Sequence, residues 1–179
     1  MLGVDVATAA NMLRRKQAAG NTVSKSVDLL GLDRRKFYRR LARKVEIKEF
    51  VSSNPSVVGM LTRLRANGIK VVLHTNSGSE LAKKTLNALG IGRDCFDLLV
   101  TSDDTEPKPS LMGYRFILRV MRARAREAVY VGDRFGVEVE PAKRLGMKTV
   151  LVGKAKQAPR GIDYAVARPE KVEDLLGTE

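Results

Sequence analysis

The chain has 179 residues, 44% apolar and 30% charged, which suits one globular domain or one domain with a small insertion. Its single cysteine and single histidine exclude an intramolecular disulfide and a zinc centre built from those ligands, so any metal must be held by oxygen, which favours Mg²⁺. The net charge of +13 calls for an anionic partner or substrate.

That charge is uneven. Residues 1–50 hold 12 Lys and Arg against 5 Asp and Glu, a net +7, and the other 129 residues share the remaining +6. The opening MLGVDVATAA lacks a basic leader followed by a long apolar run, and no later stretch is long and apolar enough to span a bilayer. Neither a membrane span nor a secretory signal is expected, and the cytoplasm is the expected location.

In chain order, Met1 to Ala9 reads as a terse strand or a helix lead-in. A helix is expected from Ala9 to about Ala19, stopped by Gly20-Asn21, and a second from Ser24 to Leu30, closed by Gly31. A third runs from the N-cap Asp33 to Lys44, with Phe37 and Leu41 as its apolar positions and cations around the remaining circumference. After Asn54-Pro55, a helix is expected from Ser56 to Ala66.

From there strands and helices alternate. Strand Ile69 to Thr75 precedes helix Ser79 to Leu89, and strand Phe96 to Thr101 precedes the loop TSDDTEPKP and helix Ser110 to Arg122. Strand Ala128 to Val131, helix Val137 to Leu145, strand Thr149 to Val152, a short strand Tyr164 to Ala167 and a helix Pro169 to Leu176 complete the pattern. This alternation predicts an α/β, Rossmann-like core, with a parallel sheet flanked by helices and a site at the carboxyl ends of its strands. Two regions are expected: residues 1–53, holding a lead strand if there is one and a basic helical cap, and residues 54–179, the α/β core.

Three strand ends carry chemistry. Thr75 and Asn76 end the first, Lys108 stands between two prolines after the second, and Asp133 ends the third with Glu138 five residues on. A hydroxyl with nearby backbone N–H groups binds phosphate oxygens, a lysine neutralises charge, and carboxylates hold the metal that bridges to a phosphoryl group. His74, with no acidic or Cys partner near it in sequence, reads as structural.

These residues stand in three stretches, VVLHTNS, EPKPS and VYVGDRFGVEVEPAKRLGMKTVLV, which resemble the second, third and fourth motifs of the haloacid dehalogenase (HAD) superfamily of hydrolases, pyrimidine 5′-nucleotidase and phosphoglycolate phosphatase type. The resemblance covers about Asn54 to Gly153. It implies Mg²⁺-dependent hydrolysis of a small phosphomonoester, with Thr75, Asn76 and Lys108 on the phosphoryl group and Asp133 as metal ligand. Glu138 stands where the family usually has a second Asp.

The family's first motif is a strand ending Asp-x-Asp-x-Thr, whose first Asp attacks phosphorus and whose second is the general acid/base. This sequence offers GVDVATA, so the resemblance makes Asp5 the candidate nucleophile and metal ligand, with Ala7 in the acid/base place. The alternatives are a chain that begins downstream of the true first strand, and a protein that keeps the phosphate pocket without the chemistry. The stretch SVDLLGLDRRKFYRRLARK also resembles a helix-turn-helix of the Fis type, which would place Arg34, Arg35, Arg39 and Arg40 on nucleic acid. Its other readings are a solvated face of the cap and a cationic surface that steers anionic substrates.

Overall fold

Capping residues set where the helices begin. In the computed structural model, which describes residues 2–153 and 161–176, Asp5 caps α1 (Val6–Ala18), Thr22 caps α2 (Val23–Leu29) and Asp33 caps α3 (Arg34–Lys44), each by a side-chain oxygen that accepts from a backbone N–H of the first turn. A short 3₁₀ turn (Ile47–Glu49) leads to α4 (Pro55–Ala66), capped by Asn54 with proline in its first turn. The opening residues are therefore a helix lead-in. No described helix is long and apolar enough to cross a membrane.

The remainder alternates as the pattern predicts: β1 (Val72–His74), α5 (Ser79–Leu89), β2 (Leu98–Val100), α6 (Met112–Met121), β3 (Val129–Gly132), α7 (Glu140–Arg144), β4 (Lys148–Val152) and β5 (Tyr164–Val166). Leu89 is followed by Gly90 at φ 73°, the left-handed conformation that ends a helix at low cost for glycine. Before α7 the backbone widens into a π-type turn (Phe135–Val139), so the α-helix proper starts later than the expected Val137. Pro141 explains this, since it has no N–H with which to close an α turn on Val137. The segment Pro169–Leu175 is 3₁₀, not the expected α-helix.

Among the described residues all strand pairs are parallel, and they form two sheets, β1-β2 and β3-β4-β5, over a shared core. That core joins Met60, Leu61 and Leu64 of α4 and Leu86 of α5 to Val150 and Val166, with Leu73, Leu99 and Val129 packed against it. Alternation gave one continuous sheet, and the hydrogen bonding explains the division. Asp97 N–H donates to Val71 O and Thr75 N–H to Val100 O, which turns the backbone of His74 away from β2. Lys148 N–H donates to Ala128 O, which turns Asp133 away from β4 in the same manner. Side chains take these two inner positions: Lys108 Nζ donates to His74 O and Glu138 accepts from Asp133 N–H.

The N-terminal helices are docked on this core. Tyr38 and Ala42 of α3 are buried with Leu81 of α5, while Phe37 and Leu41, the expected apolar pair, are only partly buried beside them. The inward face is thus turned by one residue from the one read in the sequence. A phenol that finds a buried hydrogen-bond partner can face the core as well as a phenylalanine can.

Candidate phosphate and metal site

The three strand ends converge. Lys108, only 4% exposed, reaches back from the loop after β2 so that its Nζ donates to His74 O at 2.8 Å and lies 2.7 Å from Glu138 Oε1. An ammonium has three N–H donors, and these contacts use two, leaving one uncommitted among the described residues. Burial pulls the lysine below its usual range, and the Glu138 carboxylate opposes that pull. The Tyr130 ring lies below the ammonium, with its centroid 5.9 Å from Nζ.

Asn76 holds the lysine from the other side. Its Oδ1 accepts from Lys108 N–H at 2.7 Å and its Nδ2 donates to Lys108 O at 2.9 Å. One N–H and the oxygen of the amide are thus engaged, so the side chain fixes Lys108's backbone and keeps a second N–H without a partner among the described residues. The Lys108–Pro109 peptide is cis. Beside this clamp, Thr75 Oγ1 accepts from Ser77 N–H at 3.1 Å, and its own hydrogen has no acceptor among the described residues.

Glu138 and Asp133 divide their tasks. Glu138, 8% exposed, is pushed up by burial but pulled down further by Lys108, to about 2. Its Oε2 accepts from Asp133 N–H at 3.1 Å. Gly132 makes room for it, since a Cβ there would meet Glu138 Cβ at 2.8 Å and Oε2 at 2.9 Å. Asp133 is exposed, and its carboxyl is raised by the Glu138 carboxylate beside it and then by partial burial.

The donor set suits Mg²⁺. A divalent cation relieves the repulsion that raises Asp133, and Mg²⁺ commonly takes one or two carboxylates and fills its octahedron with water and phosphate oxygens. Asp133 is the exposed carboxylate of the pair. Glu138 is spent on Lys108, and no group of three His, Cys, Asp or Glu side chains suited to a metal occurs among the described residues.

His74 lies against this floor. It is largely buried, its Nδ1 is 3.3 Å from Tyr130 Oη, and burial and Lys108 hold it down to about 3, so it is neutral. Tyr114, fully buried, stacks edge-on against His74 and donates to Glu138 O at 2.8 Å.

The other expected residues are placed elsewhere. Asp5 is exposed at the start of α1, and its carboxylate accepts from Thr8 N–H at 3.0 Å and Thr8 Oγ1–H at 2.6 Å, contacts that hold it below the usual carboxylate range. No hydrogen bond or ion pair among the described residues joins it to Thr75, Lys108 or Asp133. Arg34 pairs with Asp28 at 2.7 Å and Glu106 at 3.6 Å, Arg35 donates to Asp103 O at 2.5 Å, and Arg39 lies 3.6 Å from Glu80. Arg40 is exposed. Two residues not anticipated as part of the site join it, Ser24 by donating to the backbone carbonyl of Asn76 and Tyr38 through Ser24. No local signal marks them, since Ser24 and Asn76 are 52 positions apart.

The chain is 37% identical over 127 residues to a glyceraldehyde 3-phosphate phosphatase of Methanocaldococcus jannaschii, covering 68% of this chain and 55% of that protein. It is 31% identical to a phosphoglycolate phosphatase of Aquifex aeolicus, covering 68% and 58%. It therefore spans little more than half the length of these relatives. Among solved structures, a HAD phosphatase from Thermococcus onnurineus superposes with a TM-score of 0.67 at 26% identity, over 86% of this chain and 70% of the other. A model of the haloacid dehalogenase-like hydrolases matches residues 6–146, beginning just past Asp5, and the chain belongs to that family.

Proposed function

We propose that this chain forms the phosphate- and metal-binding core of a Mg²⁺-dependent hydrolase of small phosphomonoesters. The observation that carries this reading is the convergence, at neighbouring strand ends, of a free hydroxyl on Thr75, an uncommitted ammonium N–H on Lys108 and an open carboxylate on Asp133. The names of the relatives, phosphatases of glyceraldehyde 3-phosphate and phosphoglycolate, support a small phosphorylated metabolite as substrate.

In this reading the Thr75 hydroxyl donates to one phosphoryl oxygen and Lys108 to another, while Glu138 and Asn76 keep the lysine in place. The ammonium offsets charge that grows on the phosphoryl oxygens as the ester bond breaks. Asp133 would hold Mg²⁺, which when bound would add to the neutralisation of those oxygens. The family resemblance implies a covalent route: a carboxylate oxygen bonds to phosphorus as the P–O ester bond breaks, the leaving alkoxide takes its proton from water because Ala7 offers none, and water then cleaves the acyl phosphate to give phosphate and the free carboxylate. Asp5 would have to give up its capping bonds with Thr8 to take that part.

The test is turnover of p-nitrophenyl phosphate with and without Mg²⁺, in wild type and in Asp133→Ala. Turnover that needs Mg²⁺ and is lost in the variant is expected. Equal inactivity of both, with phosphate still bound, would replace the hydrolase by a phosphate-binding domain without chemistry.

A further inference from the structure

A line of hydrogen bonds runs from the N-terminal helices to the phosphate-facing hydroxyl. Ser24 Oγ lies 2.7 Å from the backbone carbonyl of Asn76, which can only accept, so Ser24 is the donor. Its single hydrogen is thereby spent. The contact between Ser24 Oγ and Tyr38 Oη, also 2.7 Å, must then run from the phenol to the serine. On the far side of the same peptide, Ser77 N–H donates to Thr75 Oγ1 at 3.1 Å. A trans peptide points its C=O and N–H in opposite directions, so the links follow one another: Tyr38 O–H to Ser24 O–H to the Asn76–Ser77 peptide to Thr75 O–H.

We propose that Ser24 and Tyr38 are positioning residues for the Thr75 hydroxyl, acting through the Asn76–Ser77 peptide. The inference rests on Thr75 being a phosphate donor and adds that the helical segment sets how it donates. A hydroxyl has one hydrogen and two lone pairs. With a lone pair engaged by Ser77 N–H, rotation about the Cβ–Oγ bond is biased so that the hydrogen faces outward, where a phosphoryl oxygen would sit. Since every link donates in the same direction, each polarises the next, and the last hydrogen is a better donor for it.

The surroundings fit such a role. Ser24 is fully buried and Tyr38 is 5% exposed, so water does not compete at the first two links. Tyr38 also packs on the loop itself, since a Cβ on Gly78 would meet Tyr38 Cβ at 2.7 Å. The close approach fixes the distance between α3 and the phosphate loop, and it is why glycine stands there. Burial pushes the Tyr38 phenol up, so it keeps the proton it has to donate.

The experiment is a double-mutant cycle read by calorimetric titration of inorganic phosphate with Mg²⁺ present, on wild type, Ser24→Ala, Thr75→Ala and the double variant. Ser24→Ala is expected to weaken phosphate about fivefold in the wild-type background and not at all in Thr75→Ala, because its effect passes through that hydroxyl. Tyr38→Phe, which keeps the ring against Gly78 and so guards against simple misfolding, should weaken phosphate about twofold in the wild-type background only. Equal losses in both backgrounds would make Ser24 and Tyr38 packing residues and overturn the inference alone. Unchanged phosphate affinity in Thr75→Ala itself would overturn the phosphate-site reading, and this inference with it.

Discussion

Lys108 Nζ and Glu138 Oε1 lie 2.7 Å apart with both side chains nearly enclosed, so each charge depends on the other for what water would otherwise supply. Lys108→Met is expected to cost about 3 kcal/mol in urea unfolding, because Glu138 is left buried with only the half-exposed Arg134 guanidinium, 3.9 Å away, and the Asp133 N–H to offset its charge. Pairing it with Glu138→Gln should recover most of that loss, since the second substitution removes the orphaned charge. Phosphate binding should stay lost in both. A double variant no more stable than Lys108→Met would show that the pair does not carry the energy.

His74 makes stability depend on pH in a defined window. Its folded-state value is lowered from 6.5 to about 3, so between those limits the unfolded chain binds a proton that the folded chain refuses. Stability from this group is complete above about pH 6.5 and is lost as pH falls, at about 1.4 kcal/mol per unit. Carboxylates such as Asp97 and Asp163, held low by hydrogen bonds and lysines, lose stability in the same direction at lower pH. The diagnostic is therefore a difference. His74→Asn should flatten the curve of unfolding free energy between pH 6 and about pH 4 relative to wild type, and parallel curves would remove His74 as the cause.

Which residues stand at the ends of elements was legible in the sequence. Thr75 after an apolar run, Lys108 between prolines and Asp133 after a glycine each follow from strand and turn signals, and so do the caps Asp33 and Asn54. Partners chosen across space were not. Glu138 at helical distance from Asp133 reads as a second metal ligand, but its nearest charge is a lysine 30 positions away. Asn76 beside Thr75 reads as a phosphate contact, but its amide matches the donor and acceptor of the Lys108 backbone, 32 positions on. The division into two sheets was equally hidden, since periodicity places apolar faces and does not say whether an edge carbonyl meets a strand or an ammonium.

That amide clamp can be tested by itself. Asn76→Ala removes the partners of Lys108 N–H and Lys108 O, in a half-buried place, and should cost about 2 kcal/mol of stability. Asn76→Asp keeps the acceptor for the N–H but cannot donate to the carbonyl, so it should lie between Ala and wild type or, through repulsion with Lys108 O, below both. The loosened lysine should weaken inorganic phosphate severalfold in both variants. Unaltered phosphate affinity in Asn76→Ala, at reduced stability, would confine Asn76 to folding.

Asp5 carries the sharpest question about the chemistry, and its local geometry sets the expectation. Its carboxylate caps α1 through Thr8 and is held ionised there, at an exposed helix end. Asparagine caps a helix about as well as aspartate, so Asp5→Asn removes the charge and the attacking oxygen while sparing the cap. Turnover and phosphate affinity are both expected to remain within about twofold of wild type, which would require the attacking oxygen of the covalent route to come from a group other than Asp5. A nucleophile behaves differently: turnover would fall by orders of magnitude with phosphate affinity kept, and no phosphate would become bound covalently on acid quench. That second pattern would assign the attack to Asp5 and require α1 to release its cap in the working enzyme. The two patterns differ most in turnover measured at saturating substrate, because a cap defect acts through stability and leaves the folded fraction's chemistry intact.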